Sequence, residues 1–185
     1  MEDTAPLCKS LVASRLIRLN IRASHKHEPL SSHLLSDLGG QCWVTRGLNT
    51  LAHEAAMHNR CLLIRELASL GYPIATLNKQ DRSPLHWAVY YNNSQAVEAL
   101  LDCGHPIDAC GKNGMTPLHL ALVEGNTHMA DLLIKRGASV FARVNETISC
   151  ENIVDGLDLD ENTIADLKKL IEEFTQHSFF SIVFD

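Results

Sequence analysis

One hexapeptide, repeated at a fixed distance, constrains this chain more than any other feature. Ser83-Pro84-Leu85-His86-Trp87-Ala88 and Thr116-Pro117-Leu118-His119-Leu120-Ala121 stand 33 residues apart. One period earlier, Thr50-Leu51-Ala52-His53-Glu54-Ala55 keeps the hydroxyl, the histidine and the final alanine. A strict period of this length is the mark of one supersecondary unit copied along the chain. Such a unit is too small to bury its own apolar stripe, so the copies must stack on one another.

The unit can be read from residue types. Ser83 and Thr116 stand where a side-chain oxygen caps the free N–H groups of a helix, and Pro84 and Pro117 follow in the first turn, where a missing N–H costs nothing. Asn59, Asn92, Gly125 and Asp158 recur at 33. All are types that tolerate a left-handed turn, which ends a short first helix. A second helix follows, with apolar pairs Leu63/Ile64, Ala96/Val97 and Met129/Ala130, continued one turn on by Leu67/Ala68, Leu100/Leu101 and Leu133/Ile134. Gly71, Gly104 and Gly137 close it, again at 33. The unit is helix, turn, helix, then a loop of about ten residues that reaches the next hydroxyl cap. Gly111-Lys112-Asn113-Gly114 falls in such a loop and reads as a tight, hairpin-like turn.

These residues resemble the ankyrin repeat, whose mark is T-P-L-H-x-A every 33 residues. The resemblance covers residues 38–145 well and both ends weakly. It implies an all-α solenoid of stacked helix-turn-helix units with hairpin-like loops. Residues 1–44 are read as N-terminal helices and a diverged cap, and the repeats as 45–77, 78–110 and 111–143. Residues 144–185 form a diverged C-terminal cap with an aromatic tail. Upstream, Leu34-Leu35 lie 33 before Leu67-Ala68, which makes residues 7–40 a degenerate helix pair. Downstream, Ser149 holds the hydroxyl position but Cys150-Glu151-Asn152 replace Pro-Leu-His. Ile164-Ala165-Asp166-Leu167 matches Met129-Ala130-Asp131-Leu132 at a spacing of 35, which predicts a two-residue insertion near Asp158-Leu159-Asp160.

Composition removes several function classes. The chain has 185 residues, 45% hydrophobic and 21% charged, with a formal charge of −6. This is a globular balance, and the acidic total argues against general nucleic-acid binding. No apolar run approaches the roughly 20 residues that span a bilayer, and Ser14, Arg15, Arg18 and Asn20 break Leu11–Ile21 as a secretory signal. The six cysteines (Cys8, Cys42, Cys61, Cys103, Cys110, Cys150) therefore read as reduced thiols of a cytoplasmic protein. Cys103, His105, Cys110 and His119 fit no zinc spacing, so no metal is expected. Nor is a cofactor, for there is no P-loop, no dinucleotide-binding glycine fingerprint and no nucleophile elbow. A Cys–His pair across neighbouring repeats has no orienting third group, and His53, His86 and His119 lie on the repeat lattice, where the family uses the histidine for hydrogen bonding within and between repeats. The chain reads as non-enzymatic.

The resemblance also says where a partner would sit: on a concave surface of loop tips and exposed first-helix residues. By register, the loop-tip positions are Arg46 and Asn49; Lys79, Gln80 and Arg82; Lys112, Asn113 and Met115; and Arg143, Asn145 and Glu146. The first-helix positions are Met57/His58, Tyr90/Tyr91 and Val123/Glu124. Tyr90 and Tyr91 are two of only three tyrosines and stand side by side. Tyrosine suits binding hot spots because it offers large area at little entropy cost. The rival reading packs one of them on the neighbouring repeat. Trp87, at a position that is usually apolar, is expected in the core.

Arg46, Lys79, Arg82, Lys112 and Arg143 make the loop tips basic, which fits an acidic or phosphorylated partner segment; solvation alone is the bland alternative. Two terminal stretches add a second class of function. Val12, Leu16 and Leu19 oppose Arg15, Arg18 and Arg22 on a basic amphipathic helix, which either caps the stack or touches an anionic membrane. Phe179-Phe180-Ser181-Ile182-Val183-Phe184-Asp185 either folds back on the last helix pair or is a docking signal; fold-back is expected, since a free apolar tail is a liability. The expectation is thus a monomeric protein-interaction module: an adaptor, an inhibitor, or a microbial factor acting in a host cytoplasm. A membrane-surface or targeting role is the alternative, and a thiol enzyme ranks third.

Overall fold

The computed structural model describes residues 49–144, 149–156 and 159–183, with side chains as far as residue 175. Eight helices follow one another, and among the described residues there is no β-strand. They are α1 (Leu51–Met57), α2 (Cys61–Ser69), α3 (Pro84–Tyr90), α4 (Ser94–Asp102), α5 (Pro117–Val123), α6 (Thr127–Lys135), α7 (Cys150–Asp155) and α8 (Glu161–Val183). They form four helix pairs. The pair expected over residues 7–40 lies outside the described residues.

Each pair begins as the sequence requires. The Ser83 and Thr116 hydroxyls accept from the backbone N–H of His86 and His119. The imidazole returns the favour, its Nδ1 accepting the cap residue's N–H at 3.2 Å in both. Thr50 and His53 make the same contact at 3.0 Å. In the last pair Asn152 replaces the histidine and its Oδ1 accepts from Ser149 N–H at 3.3 Å. Each cap is worth about 1 kcal/mol, so the motif fixes where a helix starts. Where it ends is set by the left-handed residues Asn59, Asn92 and Gly125, with φ of 53°, 54° and 64°. Gly71, Gly104 and Gly137 close the second helices at φ 76°, 86° and 96°. Asp158, the fourth turn residue of the lattice, lies outside the described residues. The loop turn at Lys112–Gly114 is a single 3₁₀ turn with Asn113 and Gly114 left-handed and the Gly111 N–H bonded to Met115 O at 2.8 Å.

The chain divides into two compact units, Met1–His105 and Pro106–Asp185. In the first, α1 packs on α3 and α2 on α4. The first helices are buried almost all round: Leu51 to Ala56 in α1 are all inaccessible. The second helices bury one stripe, Leu63, Ile64 and Leu67 in α2 and Ala96, Val97, Ala99 and Leu100 in α4. Ala68 and Leu101 are only half-buried, at the edge of that stripe. At roughly 1.5–3 kcal/mol per buried leucine or isoleucine, this stripe holds each pair to its neighbour. Asparagines lock the register. Asn59 Oδ1 accepts from Ala96 N at the start of α4, and Asn93 Nδ2 donates to the Ala56 and Met57 carbonyls at the end of α1.

In the second unit α7 packs on α5, and α8 on α6 and α7. Here the structure corrects the expected insertion. Asp160 Oδ2 accepts from Thr163 N as Asn126 Oδ1 accepts from Met129 N, and these caps are 34 apart. Leu167 and Leu133, also 34 apart, are both fully buried. One residue is inserted, not two, because the cap and the buried stripe decide register while a sequence match at 35 does not. The tail is a second correction. It does not fold back: the backbone runs on as α8 to Val183, making that helix 23 residues long against nine for α6.

Gly104 has open space where a Cβ would project, so only its left-handed backbone resists substitution. Gly104→Val is expected to cost more than about 1 kcal/mol, and an unmoved denaturation midpoint would show the turn to be dispensable. The buried His53 gives a second expectation. Burial, offset in part by its bond to Arg82 and reinforced by His105 and His86, lowers its pKa from 6.5 to about 4. The unfolded chain protonates near the ordinary value while the fold resists it. Stability is therefore complete above about pH 6.5 and drains as pH falls toward 4, by roughly 3 kcal/mol in all. Urea midpoints at about pH 7 and pH 5 check this, and His53→Asn, the substitution the last pair already carries, should flatten the slope.

Candidate partner-binding surface

In the first unit, one loop tip and the end of one helix carry most of the expected contact residues. The loop before α3 is built by Asn78, itself buried. Its Oδ1 accepts from Gln80 N at 2.9 Å and Arg82 N at 3.1 Å, its N–H donates to Arg82 O at 3.0 Å, and its Nδ2 donates to Asn49 Oδ1 at 2.7 Å. Asn49 is thus a framework residue as well as a loop-tip one. Asp81 turns left-handed at φ 52°. Lys79 and Gln80 stand out in solvent, and Arg82 is half-buried. The Arg82 carbonyl also accepts from His53 Nε2 at 2.9 Å, so the loop is tied to the preceding repeat.

Tyr90 and Tyr91 close α3 with 44% and 49% of their surface exposed. Packing one of them into the stack would have removed it from solvent, so both stand as expected. Trp87 does not. It was expected in the core, yet it is half-buried and packs against both tyrosines. Its ring meets Tyr90 edge-on at 5.9 Å and lies nearly parallel to Tyr91, also at 5.9 Å, while the two tyrosines meet edge to face at 5.3 Å. The reason is helical geometry: residues 87, 90 and 91 are i, i+3 and i+4, which share a face. That spacing was the available signal. The Arg82 guanidinium completes the group, its carbon 5.3 Å from the Trp87 ring centre and 5.6 Å from that of Tyr90. Met57 and His58, one period earlier, are half-buried, with His58 Nε2 3.8 Å from the Glu54 carboxylate.

The second unit places Lys112, Asn113, Glu124 and Arg143 in solvent, and Val123 is 39% exposed. Met115 is half-buried. His119 Nε2 donates to Ala142 O at 3.1 Å, which ties down the loop that carries Arg143. Burial lowers the His119 pKa, so its ring stays neutral and keeps this tautomer. Arg46, Asn145 and Glu146 lie outside the described residues.

Burial pushes the Cys103 thiol up, and Cys150 up to about 11. Neither is the thiolate that nucleophilic chemistry needs at neutral pH. Among the described residues no three His, Cys, Asp or Glu side chains converge as a metal site would require.

A search of curated proteins found no match to this chain. A family model of ankyrin repeats matches residues 19–144 in three copies, in agreement with the capped helix pairs, the left-handed turns and the histidine ties between repeats. The chain belongs to the ankyrin-repeat family, whose members generally mediate protein–protein interaction and are typically not enzymes.

Proposed function

We propose that this chain is a non-enzymatic adaptor or inhibitor that holds a protein partner on its first-helix ends and loop tips. The observation that carries this reading is the exposed pair Tyr90 and Tyr91, stacked with Trp87 at the end of α3. Large aromatic area kept in water is costly for a free chain and is what hot spots are made of. Lys79 in the first unit, and Lys112 and Arg143 in the second, are all exposed, and each would attract acidic or phosphorylated groups of that partner. The raised thiol pKa values of Cys103 and Cys150 argue against those two side chains as nucleophiles. Work inside a reducing cytoplasm, its own cell's or a host's, suits the thiols of Cys103, Cys110 and Cys150, which form no disulfide. Among the described residues no helix is long and apolar enough to cross a membrane.

Capture from a lysate with the intact chain and with a Tyr90→Ala/Tyr91→Ala variant tests the reading. The variant should lose more than about 2 kcal/mol of affinity for whatever the intact chain retains. Its stability should drop by only about 1 kcal/mol, the scale of the lost ring contacts. A variant that keeps its partner, or that unfolds, would move the interface elsewhere. Reversing the charge of Lys79 or Lys112 in turn should slow association and weaken its salt dependence, with little change in dissociation.

A further inference from the structure

The Arg82–Trp87–Tyr90–Tyr91 cluster has a chemistry more specific than a sticky patch. Arg82 is held from three directions. Its N–H donates to Asn78 Oδ1, its carbonyl accepts from His53 Nε2 and Asn78 N, and its guanidinium lies over two aromatic rings. Among the described residues that guanidinium makes no hydrogen bond or ion pair. Arg65, in the same unit, shows the contrast: its Nη2 lies 2.9 Å from the Asp102 carboxylate. The guanidinium carbon is within 5.6 Å of the centres of two rings that meet at 86°, and the planar fork of N–H donors on a guanidinium matches a carboxylate. Asp81 is adjacent in sequence, exposed, and not paired with it.

We infer that this cluster reads a carboxylate side chain of the partner together with an apolar or aromatic neighbour. The carboxylate would sit in the Arg82 fork and the neighbour on the exposed faces of Tyr90 and Tyr91. Three features favour this ligand. Among the described residues a single guanidinium stands over the rings, with no second cation there to match a phosphate dianion. The rings are already packed on one another, so little rotamer entropy remains to be lost on binding. The loop backbone is fixed by Asn78 and His53, so the residue that carries the fork is placed before the partner arrives. The inference rests on the protein-interaction reading above and names the kind of segment that reading would involve.

A random peptide library selected on the full chain tests it. The expected consensus carries Asp or Glu next to an aliphatic or aromatic residue. Binding of the selected peptide, followed by tryptophan fluorescence, should weaken about tenfold or more in Arg82→Gln, and in Arg82→Lys, which keeps the charge but not the planar fork. Changing the peptide's acid to its amide should weaken binding to the intact chain by a similar factor and have little effect on Arg82→Gln, the signature of a direct pair. An unchanged thermal midpoint for Arg82→Gln shows the loss to be recognition, not folding. A consensus without an acid, or additive effects in the cycle, overturns the inference and leaves the interaction reading standing. Displacement of the peptide by millimolar inorganic phosphate would make the site a phosphate site and overturn it too. Failure to select any peptide also overturns it, while the capture experiment judges the broader reading separately.

Discussion

A neutral imidazole bonded through both of its nitrogens ties a helix start to the loop of the following repeat. At His53, Nδ1 accepts the Thr50 N–H and Nε2 donates to the Arg82 carbonyl. At His119 the same ring joins Thr116 to Ala142. The two bonds demand one donor and one acceptor at opposite ends of a rigid ring, which only an uncharged histidine supplies. Burial, which lowers both pKa values, therefore preserves the tautomer that the fold uses. The last pair shows what the shorter side chain forgoes. Asn152 closes its own capping box, and nothing of the length of an imidazole is available to reach onward.

The consequence reaches the surface. A loop tip of about five residues would ordinarily sample many conformations, and a binding residue carried on it would lose that freedom on association. Here the carbonyl of Arg82 is pinned from inside the stack, and Asn78 closes the rest of the tip. The side chain rests with its guanidinium carbon 5.3 Å from the Trp87 ring centre and 5.6 Å from that of Tyr90. A bond made for the stability of the repeat thus sets the geometry of the part that faces outward.

Much of this was legible in sequence because it follows from single-residue chemistry at a fixed spacing. Ser83 or Thr116 before a proline means a helix start, and Asn59, Asn92 and Gly104 mean left-handed turns, whatever surrounds them. What escaped depended on neighbours in space. Trp87 was assigned to the core because its position in the repeat is usually apolar, and its equivalent Leu120 is indeed buried. Its ring instead leans toward the end of its own helix, where two tyrosines receive it. The insertion before α8 was misjudged by one residue because a four-residue match is weaker evidence than a cap and a buried leucine taken together. The helical run of the tail to Val183 had no lattice equivalent from which to be read.

The lattice also separates what the fold needs from what it leaves open. Positions 53, 86 and 119 are all histidine, and 50, 83 and 116 all carry a hydroxyl, because every copy must start its helix, and His53 and His119 also reach the loop that follows. The positions of the aromatic cluster obey no such demand. Arg82 has Asn49 and Met115 as its equivalents, Trp87 has Glu54 and Leu120, Tyr90 has Met57 and Val123, and Tyr91 has His58 and Glu124. Four positions on one loop and one helix end differ in every copy, and only in the second repeat do they combine one cation with three aromatic rings. Stacking does not require that combination, since the other copies stack without it. A framework that repeats its structural residues leaves these four positions free to vary, and in the second repeat they bring a guanidinium to within 5.6 Å of two ring centres without any demand from the stack.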